Sequence, residues 1–269
     1  MTTDRMNNWI VGGASVRGPS HERRNAPNED AWLCLQSEGS TPAVAAVSDG
    51  HGAAVHFRSR QGAELAVRAA SVLLGQHLDD ADGGDLASGV LSQWRNDVRQ
   101  HMATYPYTDD ERELVDHPPL SPYGATLVAM GVNAGILALL QIGDGDLILG
   151  YADGRLERPF PTGPALVGEQ TYSLCQEQAL SHFQSAVLWR PGEGPWPDFI
   201  LLATDGVSKS FRSEADFLAE VERLRLAAHT DWQRFLGDAP AWLSNVTQNG
   251  SGDDATLCVA VRPQAITGG

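Results

Sequence analysis

Acidic residues recur beside glycines and near the ends of apolar runs along this sequence. Three aspartates closely follow apolar runs of strand length, namely Asp49, Asp144 and Asp205, and two further acidic pairs occur at 29–30 and 253–254. A single Asp-Gly pair is usually a solvated turn. Several strands that end at one edge of a fold would instead bring these carboxylates together. Because buried carboxylates repel one another, a hard divalent cation is their natural partner, and the pattern predicts a metal centre.

Composition excludes some classes of partner. The chain has 19 basic and 34 acidic residues and a formal net charge of -15, so it lacks the excess of Lys and Arg that nucleic-acid binding needs. Its three cysteines have no paired spacing, and we expect reduced core residues. We find neither an apolar leader segment nor an apolar run of the ~20 residues that cross a bilayer. We therefore expect a cytoplasmic protein with no nucleic-acid or membrane partner.

The elements that would position these carboxylates are mostly short strands. Runs of strand length and composition cover residues 9–16, 31–35, 43–47, 126–132, 135–142, 147–151, 199–203 and 256–261. Turn-forming residues at 132–135, 143–146 and 152–155 predict hairpins between successive strands. Helical periodicity covers 53–78, 86–102, 214–228 and 231–246. Polar stretches that contain proline predict surface loops at 105–122, 158–168 and 190–198. This order predicts an α+β fold, a β-sandwich of two antiparallel sheets flanked by helices.

In this order, the acidic segments resemble the motifs of the metal-dependent protein phosphatase family, type 2C. The strongest signals are residues 49–52, Asp-Gly-His-Gly, and residues 204–206, Thr-Asp-Gly. The segment 24–30 and the Arg-Ser pair at 58–59 resemble a bacterial branch of that family. Two positions depart from it, because Asp254 stands where the family often has Asn and Asp146 where it often has Arg.

The resemblance covers nearly the whole chain and implies an αββα sandwich. It implies one phosphatase domain over residues 9–262, between short tails at 1–8 and 263–269. The implied activity is hydrolysis of phosphoserine or phosphothreonine with two to three divalent ions, Mn or Mg. A phosphorylated protein would be the substrate and a serine/threonine kinase a partner.

The resemblance also implies a division of the ligands. Asp49 would bridge two metal ions, and the carbonyl of Gly50 together with the carboxylate of Glu29 or Asp30 would complete one of them. Asp205 would belong to the second ion. The same ion would be completed by Asp253, and Asp144 matches the position of a third, weaker ion that is often shared with the equivalent of Asp205.

Hydrolysis at such a centre needs no nucleophile from the protein. Two cations about 3.5–4 Å apart can activate water and neutralise the phosphoryl oxygens. A serine or threonine alkoxide is a poor leaving group that needs a proton, which His51 can supply, and the resemblance implies the same role. The other reading of His51 is a turn histidine without proton transfer. Arg24 could hold the phosphate through a bidentate contact, although the neighbouring Arg23 could do so as well.

Two other functions stay open at this point. A catalytically weak relative could bind phosphorylated partners as a scaffold or sensor. The same metal centre could hydrolyse a small phosphorylated metabolite, because specificity depends on loops that one sequence does not decode. A cysteine phosphatase is disfavoured, since neither Cys175 nor Cys258 has an Arg about six residues further on.

Overall fold

The computed structural model describes residues 9–37, 41–80, 83–115, 119–161, 171–189 and 195–262, and their strands form two antiparallel sheets. In chain order the strands are β1 (Ile10–Val16), β2 (Ala31–Leu35), β3 (Ala43–Ser48), β4 (Leu127–Val132), β5 (Ile136–Ile142), β6 (Asp146–Gly150), β7 (Leu156–Glu157), β8 (Gln184–Trp189), β9 (Phe199–Ala203) and β10 (Ala255–Val261). One sheet has the order β1-β10-β9-β6-β7 and the other the order β2-β3-β4-β5-β8. The predicted α+β sandwich is confirmed.

The helices lie outside the sheets. They are α1 (Pro19–Arg24), α2 (Ser59–His77), α3 (Gly83–Thr104), α4 (Asp109–Leu114), α5 (Ala179–His182), α6 (Asp205–Ser208), α7 (Glu214–Thr230) and α8 (Trp232–Asn249). Helices α2 and α3 pack on the β2–β8 sheet, with Ala66, Leu74 and Trp94 in a shared core. Helices α7 and α8 pack on the other sheet through Phe217 and Leu243. Four layers in the order helix, sheet, sheet, helix follow from these contacts.

A third apolar core fills the space between the sheets. It contains Val47 of β3, Leu139 of β5, Leu202 of β9 and Cys258 of β10, all almost fully buried. The three cysteines are free thiols; Cys175 and Cys258 are buried, whereas Cys34, which was expected in the core, is half-buried. Within the described residues, no helix is both long and apolar enough to cross a membrane.

The hairpin predicted at residues 143–146 is wrong. Strands β5 and β6 on either side of it belong to different sheets, so this turn passes from one sheet to the other. The turns at 132–135 and 152–155 do join paired strands, β4 with β5 and β6 with β7. The crossing at 143–146 matters for the site, because it puts a turn at the end of the sandwich where both sheets meet.

The loop predicted at 105–122 is partly helical. Helix α4 begins at a capping box, in which Thr108 Oγ1 accepts from the Glu111 backbone N–H and Glu111 Oε2 accepts from the Thr108 N–H. Tyr123, directly after this stretch, is buried, and its hydroxyl accepts from Arg58 Nη1 at 3.0 Å and lies 2.7 Å from His101 Nδ1. Residues 116–118 lie outside the described residues, as do 162–170 and 190–194 of the other two predicted loops.

Candidate metal centre

Three of the predicted aspartates meet at one end of the sandwich. Asp49 directly follows β3, Asp144 lies in the turn that crosses from β5 to β6, and Asp205 is the first residue of α6 after β9. Carboxylate oxygens of these three residues lie within 4.8 Å of one another. Segments that are far apart in sequence therefore contribute to a single acidic cluster.

Backbone hydrogen bonds at the end of β3 hold Asp49 in place. Thr126 Oγ1 accepts from the Asp49 N–H at 3.0 Å, and the Thr126 N–H donates to the Asp49 carbonyl at 2.9 Å. Gly50 then makes a single antiparallel bridge with Ala125. Because the main chain is fixed on both sides, the Asp49 side chain has a defined direction.

Close packing explains the glycines that flank Asp144. Gly143 has φ +102°, which favours glycine, and a Cβ added there would lie 2.5 Å from Thr126 Cγ2. A Cβ on Gly145 would lie 2.8 Å from the carbonyl oxygen of Ala203, the last residue of β9. The turn therefore lies directly against the ends of two strands, which brings Asp144 beside Asp205.

Burial and mutual repulsion together raise the pKa values of the carboxyls at this end. The pKa of Asp49 is raised well above its ordinary value, first by burial and then by the charges of Asp30 and Asp205. Burial raises the pKa of Asp205 to about 7, with Asp144 adding repulsion. Asp30 is buried, and burial raises its pKa to about 8 with a contribution from Asp254.

The donors present suit a hard divalent cation. Asp30 Oδ2 accepts from Thr204 Oγ1 at 2.8 Å, while its Oδ1 is buried and has no hydrogen-bond partner among the residues that the structure describes. Carboxylate oxygens are the ligands that Mg²⁺ and Mn²⁺ prefer, and a cation would offset the repulsion described above. On these observations the cluster fits the expected metal ions.

Glu29 and Asp253 lie outside the cluster of three aspartates and approach His21 instead. His21 Nε2 lies 3.5 Å from Asp253 Oδ1 and 4.0 Å from Glu29 Oε2. Glu29 also accepts from Ser59 Oγ at 3.1 Å, and burial raises the pKa of Glu29. The Asp253 side chain is 57% exposed.

His21 and Asp254 support this side of the site, and sequence reasoning missed both roles. Asp254 Oδ1 accepts from the Gly18 N–H and Oδ2 from the Glu29 N–H, each at 2.7 Å. The Asp254 Oδ2 atom also lies 2.9 Å from His21 Nδ1, which is 3.0 Å from the Pro27 carbonyl. Because both neighbours of Nδ1 are acceptors, Nδ1 carries a proton. The family often has Asn at this position, and an Asn side chain has only one acceptor oxygen. Asp254 has two, one for each of the backbone N–H groups of Gly18 and Glu29.

Lys209 is a further residue that sequence reasoning missed. Its Nζ contacts Asp205 Oδ2 and lies 3.2 Å from Asp144 Oδ2. Burial would raise the pKa of Asp144, but the ammonium of Lys209 outweighs it and lowers that pKa. The position of Lys209 four residues after Asp205, at a helix start, was the signal available in the sequence.

His51 lies beside the cluster, packed against the segment before β4. The backbone N–H of His51 donates to the Gly124 carbonyl at 3.1 Å, and the ring centroid of His51 is 5.0 Å from that of His56. Burial lowers the pKa of His51 to about 4, and His56 contributes to this shift. The imidazole is therefore neutral at pH 7 before a substrate binds.

The two candidate phosphate-binding arginines lie on α1. Arg24 Nε donates to the Ser20 carbonyl at 3.2 Å, and Arg23 Nη2 donates to Ser20 Oγ at 3.1 Å. Arg24 is close enough to Glu29 for its charge to oppose the burial that raises the pKa of Glu29. Asp146, which stands where the family often has Arg, forms an ion pair with Arg158 Nη1 at 2.7 Å.

Comparisons with known proteins agree with this fold and this chemistry. The sequence model described as protein phosphatase 2C matches residues 17–245. No match was found among curated proteins. The catalytic domain of the serine/threonine protein phosphatase PstP, in complex with two manganese ions, is 20% identical with a TM-score of 0.58, over 96% of this chain and 100% of that one.

Two further solved structures share the fold. PstP of Mycobacterium tuberculosis is 17% identical with a TM-score of 0.59, over 96% of this chain and 100% of that one. PppA of Pseudomonas aeruginosa, described as a key regulatory component of a type VI secretion system, is 20% identical with a TM-score of 0.60, over 94% of this chain and 97% of that one. Since the family model covers most of the chain, the chain belongs to the protein phosphatase 2C family, and it is a metal-dependent serine/threonine protein phosphatase.

Proposed function

We propose that this phosphatase binds two central divalent ions through side chains and backbone from four separate segments. The proposed ligands are Glu29 or Asp30, Asp49, the Gly50 carbonyl, Asp205 and Asp253. The observation that supports this most strongly is the convergence of Asp49 and Asp205, from the ends of two different sheets, in one cluster of carboxylates. The two manganese ions described for PstP support a two-ion centre.

Burial gives the central aspartates their role in binding these ions. In the folded chain the pKa of Asp49 and that of Asp205 are raised, by burial first and then by neighbouring carboxylates. Each must lose its proton to act as a ligand, so ion binding releases protons and depends on pH. When bound, divalent ions activate a water and neutralise the phosphoryl oxygens, so no side chain needs to act as nucleophile.

His51 is proposed to protonate the departing serine or threonine oxygen. Its position beside Asp144 and Asp49 puts it at the edge of the cluster, where a substrate phosphate would lie. The ring is neutral before substrate binds because burial lowers its pKa. A phosphate dianion nearby favours the imidazolium, so the substrate itself would raise the proton affinity of the acid.

The substrate phosphate needs a further positive contact. We propose that Arg24 supplies it through a bidentate contact, with Arg23 as the alternative on the same helix. A kinase partner and a cytoplasmic location stay predictions from the sequence.

The decisive experiment measures turnover of a phosphoserine peptide and of nitrophenyl phosphate after chelation and after Mn²⁺ or Mg²⁺ is restored. We expect activity to vanish with chelator and to return with either metal. Asp49→Asn serves as the matched control, because it has the same shape and should not recover. Turnover that survives chelation would contradict the proposed centre, and turnover of small metabolites but of no phosphopeptide would redirect the substrate assignment.

A further inference from the structure

Lys209 is the only lysine in the sequence, and it lies on the acidic cluster. All other basic residues among the 19 are arginines. Lys209 caps α6, so its side chain reaches back one turn to Asp205, the first residue of that helix. It also crosses to Asp144, which lies in the turn between β5 and β6. One ammonium therefore joins two carboxylates that come from separate segments.

The chemistry of this corner suits an ammonium better than a guanidinium. Lysine carries a compact point charge on a flexible stem, whereas arginine has a planar fork that favours bidentate pairing with one carboxylate. Here the cation must lie between two carboxylates, those of Asp144 and Asp205, which are themselves within 4.8 Å of Asp49. A point charge can serve both partners at once, as a small metal ion would.

We propose that the Lys209 ammonium takes the place of a third divalent ion between Asp144 and Asp205, so that the loaded phosphatase holds two metal ions. This inference rests on the proposed two-ion centre. It changes the function predicted for Asp144, which then holds Lys209 instead of a third, weaker ion. Asp205 has two carboxylate oxygens, and Lys209 contacts Oδ2, which leaves Oδ1 for a central ion.

An ordinary surface ion pair would have a different consequence. The Lys209 side chain is 61% exposed, and exposed pairs contribute little to stability. Removing an ordinary surface pair would leave the number of bound ions unchanged. Removing the cation from a shared ligand site would instead open that site to a metal ion. The number of ions per chain therefore separates the two interpretations.

The first experiment counts bound Mn²⁺ by equilibrium dialysis and elemental analysis. We expect two ions per wild-type chain and three in Lys209→Met, which keeps the side-chain length and removes the charge. The third ion should be the weakest, and it should be lost again in the double variant Lys209→Met/Asp144→Asn. Arg234→Ala is the matched control, because Arg234 forms an exposed i,i+4 pair with Asp238 on α8, and it should bind two ions.

Each other result is informative. Three ions in the wild type, or two in Lys209→Met, would overturn the inference while leaving the two-ion centre intact. A third ion that persists in the double variant would show that it binds away from Asp144, which also overturns it. A wild-type chain that binds no Mn²⁺ would overturn the proposed function and this inference with it.

A second readout follows Lys209 directly, without metal counting. Because the chain has one lysine, Lys209 and the α-amino group are its only amines, so the amide products of acetic anhydride report on these two sites and the α-amino group serves as the internal reference. A paired ammonium should be acetylated several-fold more slowly in the wild type than in Asp144→Asn, and saturation with Mg²⁺ should leave the wild-type rate slow. A rate that rises on Mg²⁺ binding to that of Asp144→Asn would show that the metal displaces Lys209, and the inference would fail.

Discussion

Strand β9 has a buried aspartate near each end, and the two have opposite electrostatics. Asp198 precedes the strand and lies 3.6 Å from both Arg225 Nη1 and His229 Nε2. Burial would raise the pKa of Asp198, but these neighbours outweigh it and lower that pKa. Asp205 follows the strand, whose five extended residues span about 17 Å, and burial together with Asp144 raises the pKa of Asp205 to about 7.

The difference shows that charged neighbours, as well as burial, decide what a buried carboxylate does in this fold. Both aspartates are almost fully buried. At the Asp198 end the chain supplies a positive partner, Arg225, with His229 beside it, and the result is a structural ion pair. At the Asp205 end Lys209 offsets only part of the repulsion, so the remaining negative charge is available to cations from solution. Perturbed carboxylates of the second kind are typical of functional sites.

The largest expected effect is a loss of turnover when a carboxylate of the acidic cluster, at the Asp205 end of β9, is neutralised. Asp49→Asn and Asp205→Asn keep side-chain size but remove a negatively charged ligand from the two proposed metal ions. Activity should fall by at least about 10²-fold, as for disrupted metal sites. Without metal, Asp49→Asn should also be more thermostable than the wild type, because it removes repulsion. Steady-state kinetics and thermal melting with chelator test both. Near-normal turnover of either folded variant at modest metal concentration would contradict the assignment of that aspartate as a metal ligand.

The next effect concerns His51, which is half-buried at the Asp205 end of the strand. His51→Gln should lower turnover of a phosphoserine peptide by about 10²-fold, the lower range for general-acid assistance. Nitrophenolate leaves without a proton, so turnover of nitrophenyl phosphate should fall much less. Metal content should be unchanged. Equal losses on both substrates, with less metal bound, would show that His51 supports the metal site instead.

Much of this contrast could be predicted from the sequence. Asp49 and Asp205 each follow an apolar run and precede a glycine, and these local signals persist because strand and turn are both encoded within a few residues. The fold class followed from the same short-range patterns. Edge strand β8 was missed, since half-buried residues on an edge do not produce a clear apolar pattern.

The partners of the carboxylates could not be predicted, because they depend on pairing between distant segments. Asp198 was assigned to a surface loop, yet it is buried against Arg225 and His229 of α7. The contact of His21 with Asp254 joins residues 233 positions apart in sequence, and only the pairing of β1 with β10 brings them together. Compensation of charge is a property of the folded sheets, which sequence patterns alone do not encode.

A third expected effect is the pH dependence of the metal-free protein. The folded-state pKa values of Asp30, about 8, and Asp205, about 7, lie above the ordinary value of 3.8. At these two carboxyls the folded chain therefore holds more protons than the unfolded chain between about pH 4 and pH 8, which makes stability fall as pH rises through this window. His51 acts in the opposite direction below about pH 6.5, because burial lowers its pKa to about 4, so the fall should be clearest between pH 6.5 and pH 8. Stabilisation by Mg²⁺ should grow over the same window, because the ion replaces those protons.

Urea unfolding at pH 5, 6.5 and 8, with chelator and with Mg²⁺, measures this directly. Asp205→Asn is the matched variant, since it removes one of the two titrating groups and should flatten the fall. A metal-free stability that rises from pH 5 to pH 8 would mean that these carboxylates are already compensated in the folded chain, and the comparison between the two ends of β9 would fail.

The smallest effect is expected at the compensated end, and it should appear in stability alone. Asp198→Asn removes the negative charge beside Arg225 and His229, whereas Arg225 keeps its bidentate contact with Glu222, at 2.7 and 2.9 Å. Because the buried charge of Asp198 is lost while Arg225 stays paired with Glu222, we expect a loss of about 1–3 kcal/mol in the free energy of unfolding. Turnover per folded molecule and bound Mn²⁺ should match the wild type, since β9 separates this pair from the cluster. The sign is opposite to that of Asp49→Asn in the metal-free protein, although both changes replace an aspartate by asparagine. If Asp198→Asn were neutral or stabilising, Asp198 would be as poorly compensated as the aspartates at the other end, and position along β9 would not distinguish structural from functional carboxylates.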